Sequence, residues 1–498
     1  MKKIKLLLFF ISACSFASMA QEVDTTSTPK VITLEQALQI ALSENTSVKV
    51  ADMEIERTGY ARKGSYSALF PQVNASGMFQ RTLKKQVMYM DFDMGALGGG
   101  GAAGGAAGGG SGSGSGSGSS EQGGVATAAA SPMDGGIEVG RWNTYNAGIS
   151  ASMPLVSAQL WQSLKISDQD VEIAVEKARS SRLDMVNQVK QAYFSCLLAR
   201  ELFSVYESVY DNAVENLKRT QSKYNAQKAS ELDLTRAKTA VANAVPNLYN
   251  AESSMILSLW QLKAVMGVDL DENIDVAGEL SDYAEHMLYD FNETEGLSLE
   301  NNSTLRQLGL QAEQLAAAIK MQQYAYLPTL AVNFSYSMNA MTNDFKFSQY
   351  KWTPHSYVGV SLSIPIFSGG QRYHAVKQSQ VQARELELQT KETERQLKIG
   401  IRQSLNQMET AIKTYDSARS ALETAQKAYD IAEKSYAVGR NTLTDLNDAQ
   451  LALTQAQLAV SQAVYNFVSA KATLESTLGA DFIDEEGNVQ LNKTYNNE

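Results

Sequence analysis

The sequence carries little of what most enzymes use. Two cysteines and three histidines are spread over 498 residues. His286, His355 and His374 stand alone, and no Cys pair, His/Glu pair or nucleophile elbow occurs. No catalytic, cofactor-binding or metal residue is therefore expected, and an enzyme is not the expected class. Basic clusters are missing as well, and the formal net charge is -11. Nucleic acid is not an expected partner. Long apolar runs are also absent. No stretch reaches the roughly 18 apolar residues of a transmembrane helix, so any membrane role must use strands.

The first residues, "MKKIKLLLFFISACSFASMAQEV", read as a secretory signal. Lys2, Lys3 and Lys5 precede a short apolar core, and Ser18 and Ala20 flank a cleavage site before Gln21. A competing lipoprotein-type box ends at Cys14, which would then be acylated. With cleavage before Gln21, Cys196 is the only cysteine left and no internal disulfide forms. Its setting, "QAYFSCLLA", predicts a buried helical position.

What is present is a repeat. "YNAQKASELDLTRAKTAVANA" from Tyr224 aligns without gaps with "YAVGRNTLTDLNDAQLALTQA" from Tyr436, an offset of 212. "GISASMPLVSA" from Gly148 aligns with "GVSLSIPIFSG" from Gly359 at an offset of 211. Asn45 to Pro71 aligns with Asn302 to Pro328 at 257. The chain is thus a tandem duplication of a unit longer than 200 residues, and the first copy holds 46 extra residues between Pro71 and Pro154. The glycine- and serine-rich tract Gly98 to Ser120 lies within that excess.

Beside the insertion and at the matching places of the second copy, residues alternate with period two. The expected strands are about 72–82, 143–153, 329–340 and 356–365, with Pro71, Pro154, Pro328 and Pro365 at the strand–helix junctions. One face is apolar, the other small, polar and almost uncharged. Segments of about ten residues suit strands that cross a bilayer at a tilt. Four strands cannot close a barrel, for which about eight are needed. Open edges are not tolerated in lipid, so several copies must pool their strands.

Between strands and turns lie two stretches of about 70 residues with few breakers, roughly 100 Å each as helix. Helical hairpins are expected at about 155–267 and 366–478. Leu446, Leu453, Val460, Phe467 and Leu474 recur every seven residues, and alanines fill the partner positions. The first copy repeats this with Leu234, Val241, Leu248, Met255 and Leu262 beside Ala237, Ala244 and Ala251. A strict seven-residue period predicts a left-handed supercoil, with a local kink at Pro246. Gly439 suits the residue after a helix, and Thr442-x-x-Asp445 and Ser230-x-x-Asp233 read as capping boxes.

These residues together resemble the TolC-type outer-membrane efflux factors. The most specific stretch is "YAVGRNTLTDLNDAQ", joined by Leu327-Pro328 before strands and "IPIFSGG" from Ile364 after them. The resemblance runs from Leu34 to Leu478. It implies a mixed α and β membrane protein: a homotrimer with a 12-stranded outer-membrane β-barrel, four strands per chain, continuing into a periplasmic α-helical barrel. It implies an exit duct in outer-membrane lipid, served by a periplasmic adaptor and an inner-membrane transporter. By position in the motif, Asp445, Asp448 and Asp233 are similar to the family's gate aspartates. Tyr436 is similar to the tyrosine that ties neighbouring helices at the closed gate. The tips around Gln227 and Ser230, and Gly439, Arg440, Asn441 and Thr442, correspond to the adaptor-docking region. The family's basic gate residue falls two places after the turn glycine, where this chain has Asn441, with Arg440 one step off. Gln227 replaces the turn glycine in the first copy. A non-conducting coiled-coil surface protein anchored by a small barrel is the alternative.

The expected organisation is a signal over 1–20, a first repeat over 21–290, a second over 291–479 and a tail over 480–498. The insertion at about 91–138 would be an extracellular loop. The acidic stretch from Asp271 to Leu297 would form a belt at mid-helix level.

Overall fold

A computed structural model of the chain describes residues 29–88, 137–284, 287 and 298–479. The signal segment, nearly all of the insertion expected at about 91–138 with its Gly98–Ser120 tract, residues 288–297 of the expected acidic belt, and the tail lie outside the described residues. In chain order the elements are β1 (Lys30–Ile32), α1 (Leu34–Glu44), α2 (Thr46–Tyr66), β2 (Gln72–Arg81), β3 (Gln86–Met88), β4 (Ile137–Val139), β5 (Asn143–Val156), α3 (Ala158–Asn225), α4 (Glu231–Met266), β6 (Ile274–Val276), α5 (Ser303–Tyr324), β7 (Thr329–Thr342), β8 (Thr353–Ser363), α6 (Gln371–Ala437) and α7 (Leu443–Leu478). They fall into a helical unit (Met1–Ser65, Gln159–Ala325, Phe367–Glu498) and a strand unit (Tyr66–Ala158, Tyr326–Ile366). No described helix is long and apolar enough to cross a membrane.

Besides a separate antiparallel ribbon of β3 and β4, the strand unit holds a four-stranded sheet in the order β2-β5-β7-β8, antiparallel at every step. Its register keeps the two faces separate. Val73, Ala151, Phe334 and Val358 lie in one row, and Ala75, Ile149 and Tyr336 in another. On the opposite face Asn74, Ser150, Ser335 and Tyr357 share a row, as do Ser76, Gly148, Ser337 and His355. Because side chains alternate along a strand, a one-residue slip would exchange the faces, and these rows show none before Pro154. Gly148 is required by close approach: a Cβ there would stand 2.9 Å from the Tyr336 carbonyl oxygen. β5, β7 and β8 contain no Asp, Glu, Lys or Arg, and β2 has only Arg81 at its end. The outer strands β2 and β8 are exposed along nearly their whole length.

Several boundaries differ from expectation. β5 continues to Val156, so Pro154 sits inside a strand and not at a junction. The register shifts between Pro154 and Val156, and such a bulge is where a residue without an N–H is tolerated in a sheet. The helical hairpins start later than expected, at Ala158 and Gln371. β8 spans Thr353–Ser363, so it starts earlier than the expected 356 and takes in His355, and Pro365 stands beyond it. Gly369 and Gly370, both left-handed (φ 59° and 83°), turn the chain into α6. Pro328 immediately precedes β7, and Pro71 immediately precedes β2.

In the helical unit α3 and α6 have 68 and 67 residues, each about 100 Å long. The core sits at the middle of α3. Val189, Tyr193, Phe194 and Leu197 pack with Leu262 and Met266 of α4, Met408 of α6, and Phe467 and Leu474 of α7. Residues Ile274 to Leu280 pack at this level: β6 pairs in parallel with β1, and Ile274, Val276 and Leu280 enter the core. The Tyr193 hydroxyl donates to the Ala277 carbonyl at 2.7 Å, and Arg200 donates to the Val276 carbonyl at 2.7 Å. Cys196 is buried here, and desolvation pushes its thiol up to about 11.

The duplication recurs atom for atom. Asn45 Nδ2 donates to the Val265 carbonyl at 2.7 Å, and Asn302 Nδ2 donates to the Thr477 carbonyl at 2.6 Å. Gly267 and Gly479 end α4 and α7 in the left-handed conformation. A Cβ on Gly267 would press on Asn45 and one on Gly479 would strike the Asn301 carbonyl. Each hairpin is therefore clamped at its far end by the asparagine that precedes a helix of its own copy. In α4 the alanine line is the buried one, through Ala237, Ala244, Ala251 and Ser258. Val241, Leu248 and Met255 stay half-buried, while Tyr249, Leu257 and Trp260 are exposed. α4 runs on through the exposed Pro246, with helix on both sides.

Candidate functional site

The two hairpin tips are built by the same bonds. Gln227 N donates to the Tyr224 carbonyl at 2.8 Å, and Lys228 N to the Lys223 carbonyl at 2.7 Å. Gly439 N donates to the Tyr436 carbonyl at 3.1 Å, and Arg440 N to the Ser435 carbonyl at 2.9 Å. This bond pair closes a helix C-terminus through a left-handed residue. Gly439 takes that conformation at φ 76°, and Gln227 takes it at φ 60°, the only described non-glycine residue with positive φ. The missing glycine of the first copy therefore changed the strain and not the turn.

Capping boxes then start α4 and α7. The Ser230 hydroxyl donates to Asp233 Oδ2 at 2.7 Å while Asp233 N donates back at 3.1 Å. Thr442 Oγ1 and N reach Asp445 Oδ2 at 2.8 and 2.9 Å, and Asp445 N returns a bond at 3.2 Å. The Thr442 backbone bond, followed by its hydroxyl, holds the Asp445 carboxyl below the usual carboxylate range. Asp448, one turn further along α7, is exposed and has no hydrogen bond or ion pair among the described residues. Arg440 and Asn441 are exposed on the turn.

Contacts between the tips come from elsewhere. The Tyr436 hydroxyl lies 2.7 Å from Thr220 Oγ1, and both residues are buried. Lys223 Nζ donates to the Tyr436 carbonyl at 3.0 Å and stands 4.2 Å from its ring centroid. Arg219 pairs with Glu433 at 3.3 Å, and Arg236 donates to Thr444 Oγ1 at 3.3 Å. Ala237, Tyr429, Ala432, Tyr436, Leu443 and Leu446 fill the space between. Tyr436 thus ties α6 to α3 within one chain. Lys223, Thr220 and Arg236 were not singled out by sequence. Lys223 aligns with Ser435 and Arg236 with Asp448 in the other copy, so the repeat conceals them. Their one sequence signal is position, within a turn or two of the capping motif.

The two-faced sheet, the paired hairpins and the twofold repeat define a fold class: a four-stranded antiparallel sheet with two long helical hairpins. The chain matches the family described as "Outer membrane efflux protein" over residues 37–268 and 296–480, and it belongs to that family. The chain is an outer-membrane protein of that family. It is 22% identical over 248 residues to outer membrane protein TolC of Escherichia coli, covering 48% of this chain and 50% of that protein. Its match to the cobalt-zinc-cadmium resistance protein CzcC of Cupriavidus metallidurans is 22% over 266 residues, 52% of this chain and 61% of that one. The chain thus spans about half the length of the curated relatives it matches. The solved CmeC channel of Campylobacter jejuni shares its fold with a TM-score of 0.65 at 17% identity, covering 90% of this chain and 85% of that one. For CusC the TM-score is 0.66 at 14% identity, over 90% and 92%.

Proposed function

We propose that three copies of this chain form the exit duct of a tripartite efflux or type I secretion system. The duct passively conducts solute delivered by an inner-membrane transporter through a periplasmic adaptor. The observation that carries this reading is the open, all-antiparallel, two-faced sheet. β8 runs opposite to β2, so β8 of one copy meets β2 of the next in the same antiparallel sense. Three sheets then close a twelve-stranded barrel, clear of the roughly eight-strand minimum and without an edge in lipid. The apolar face turns to lipid and the uncharged polar face to the lumen. The half-buried seam of α4 and its exposed Tyr249, Leu257 and Trp260 supply surface for neighbouring copies.

The helical tips form the periplasmic entrance, and the exposed turns at Gln227–Ser230 and Gly439–Thr442 receive the adaptor. Asp445 and Asp448 from three chains, with Asp233 beside them, ring the entrance and attract cations. Asp445 serves both as cap and as gate charge, whereas Asp448 has no capping role. Replacing Asp448 with asparagine tests this in planar bilayers. Cation selectivity should fall while the helices stay folded. Unchanged selectivity in that variant and in the Asp445→Asn, Asp448→Asn pair would remove these residues from the gate.

A further inference from the structure

The strand unit carries a second organised surface, at the end of the sheet away from the prolines that precede β2 and β7. Phe79 and Tyr145 are register partners on the apolar face, their rings stacked at 4.8 Å. The β7–β8 loop folds over that face. Phe347 meets Tyr145 edge-on at 5.5 Å, Tyr350 lies 5.3 Å from Tyr145, and Phe345 lies 6.4 Å from Phe79. The loop is held in place: the Tyr350 hydroxyl donates to the Asp344 carbonyl at 2.8 Å, and Thr342 Oγ1 donates to Asp344 Oδ1 at 2.6 Å. Phe345 and Phe347 nonetheless stay largely exposed. An ordered loop that presents aromatic rings outward on the apolar side of a sheet is poorly suited to water. It suits the interfacial layer of a bilayer, where aromatic girdles flank a barrel's apolar band.

Charge appears abruptly at the same level. Arg81 is the last residue of β2 and shares the face of Phe79, with its guanidinium 5.4 Å from the Phe345 ring. Across 81–88, 137–142 and 343–352 there are six basic and two acidic residues. Of the two acids, Glu138 lies 4.0 Å from Lys85, and Asp344 is bound within its own loop. Lys85 apart, the basic residues Arg81, Lys84, Arg141, Lys346 and Lys351 make no ion pair with a carboxylate among the described residues. This is a positive rim on a chain whose net charge is -11.

We propose that this rim docks the phosphate groups of a phosphorylated membrane lipid, with Arg81, Lys346 and Lys351 as the binding cations. The Phe79–Tyr145–Phe347 stack is the apolar anchor against the first carbons of the acyl chains. Arginine and lysine pair with phosphate by charge-assisted hydrogen bonds, and basic side chains near a membrane surface each add to attraction for anionic headgroups. The inference rests on the reading above that the apolar face meets lipid. Under that reading the lipid is in the outer leaflet.

The test uses purified full-length protein, titrated in detergent and read by native mass spectrometry. The probes are diphosphoryl lipid A and its dephosphorylated form. Wild type should retain the phosphorylated probe at least about tenfold more tightly. Arg81→Gln, Lys346→Gln and Lys351→Gln together should abolish that preference and leave the dephosphorylated probe unchanged. Phe347→Ala should weaken both. Lys413→Gln with Lys427→Gln, on α6, should keep the preference and so exclude an effect of net charge. A wild type without preference, a triple variant that keeps it, or displacement by inorganic phosphate would overturn the proposal. Bilayer conductance measured on the same preparations separates this failure from failure of the channel reading.

Discussion

Under the proposed duct reading, removing one hydroxyl at the helical tips should loosen their packing by a predictable amount. Thr220 is 0% exposed and Tyr436 7% exposed, and their hydroxyls meet at 2.7 Å. Tyr436→Phe keeps the ring under Lys223 and the carbonyl that Lys223 binds, so most packing survives. It leaves the buried Thr220 hydroxyl without that partner, at a cost of about 1–3 kcal/mol. A bond back to its own helix would bring the cost to the lower end. If the contact exists only in the closed tip, about 1.4 kcal/mol raises the open-to-closed ratio about tenfold. Amide exchange at the ends of α3 and α6 should quicken, and the closed dwell time in planar bilayers should shorten. Thr220→Val added to Tyr436→Phe should restore part of the loss, because neither hydroxyl is then left alone. A double-mutant cycle should report a coupling of roughly 1 kcal/mol. Additive effects, or a Tyr436→Phe variant with unchanged exchange and gating, would refute the proposal that this tie between α6 and α3 holds the tip closed.

Three further outcomes follow from local structure. Gln227 occupies a left-handed conformation that costs a non-glycine residue about 1 kcal/mol, so Gln227→Gly should raise the stability of the first tip and Gly439→Gln should lower that of the second; amide exchange at the two turns checks both signs. The Asp445 carboxyl is held below its usual range, so its stabilising effect is complete above the unfolded-state value near 4 and lost as pH falls through the lower folded value. Exchange protection of the first turn of α7 should drop in that acid window and be insensitive to pH between about 6 and 8. The Cys196 thiol, with its value pushed up to about 11 by burial, should resist aqueous thiol reagents at pH 8 until the protein is denatured.

The strands were legible because a half-apolar sheet writes its faces into every second residue. The row Val73, Ala151, Phe334, Val358 is already implied once four alternating segments are found. The turns were legible because each capping pair, Ser230 with Asp233 and Thr442 with Asp445, acts across three residues. Pro154 misled, since a proline after a strand normally ends it, and only the bulge between Pro154 and Val156 shows why this one does not. β1 and β6, with three residues each, are too short to display a period, so their pairing around Tyr193 could not be read. Lys223 and Arg236 escaped for a different reason. Their partners, Tyr436 and Thr444, lie in the other copy, and a repeat reveals only what both copies keep. The aromatic rim is likewise assembled from β2, β5 and the β7–β8 loop, which are far apart in the chain.

The central claim is that the open sheet is closed by other copies through β2 and β8. Paired cysteines on the outer strands test it, with one at Asn74, Ser76 or Gln80 and a second at Tyr357, Gly359 or Ser361 in the same chain. Cells oxidised in the outer membrane should yield covalent species that stop at the mass of three chains for at least one pairing. A ladder that passes beyond three chains, or no linkage for any pairing in protein that is folded and membrane-inserted, would contradict it.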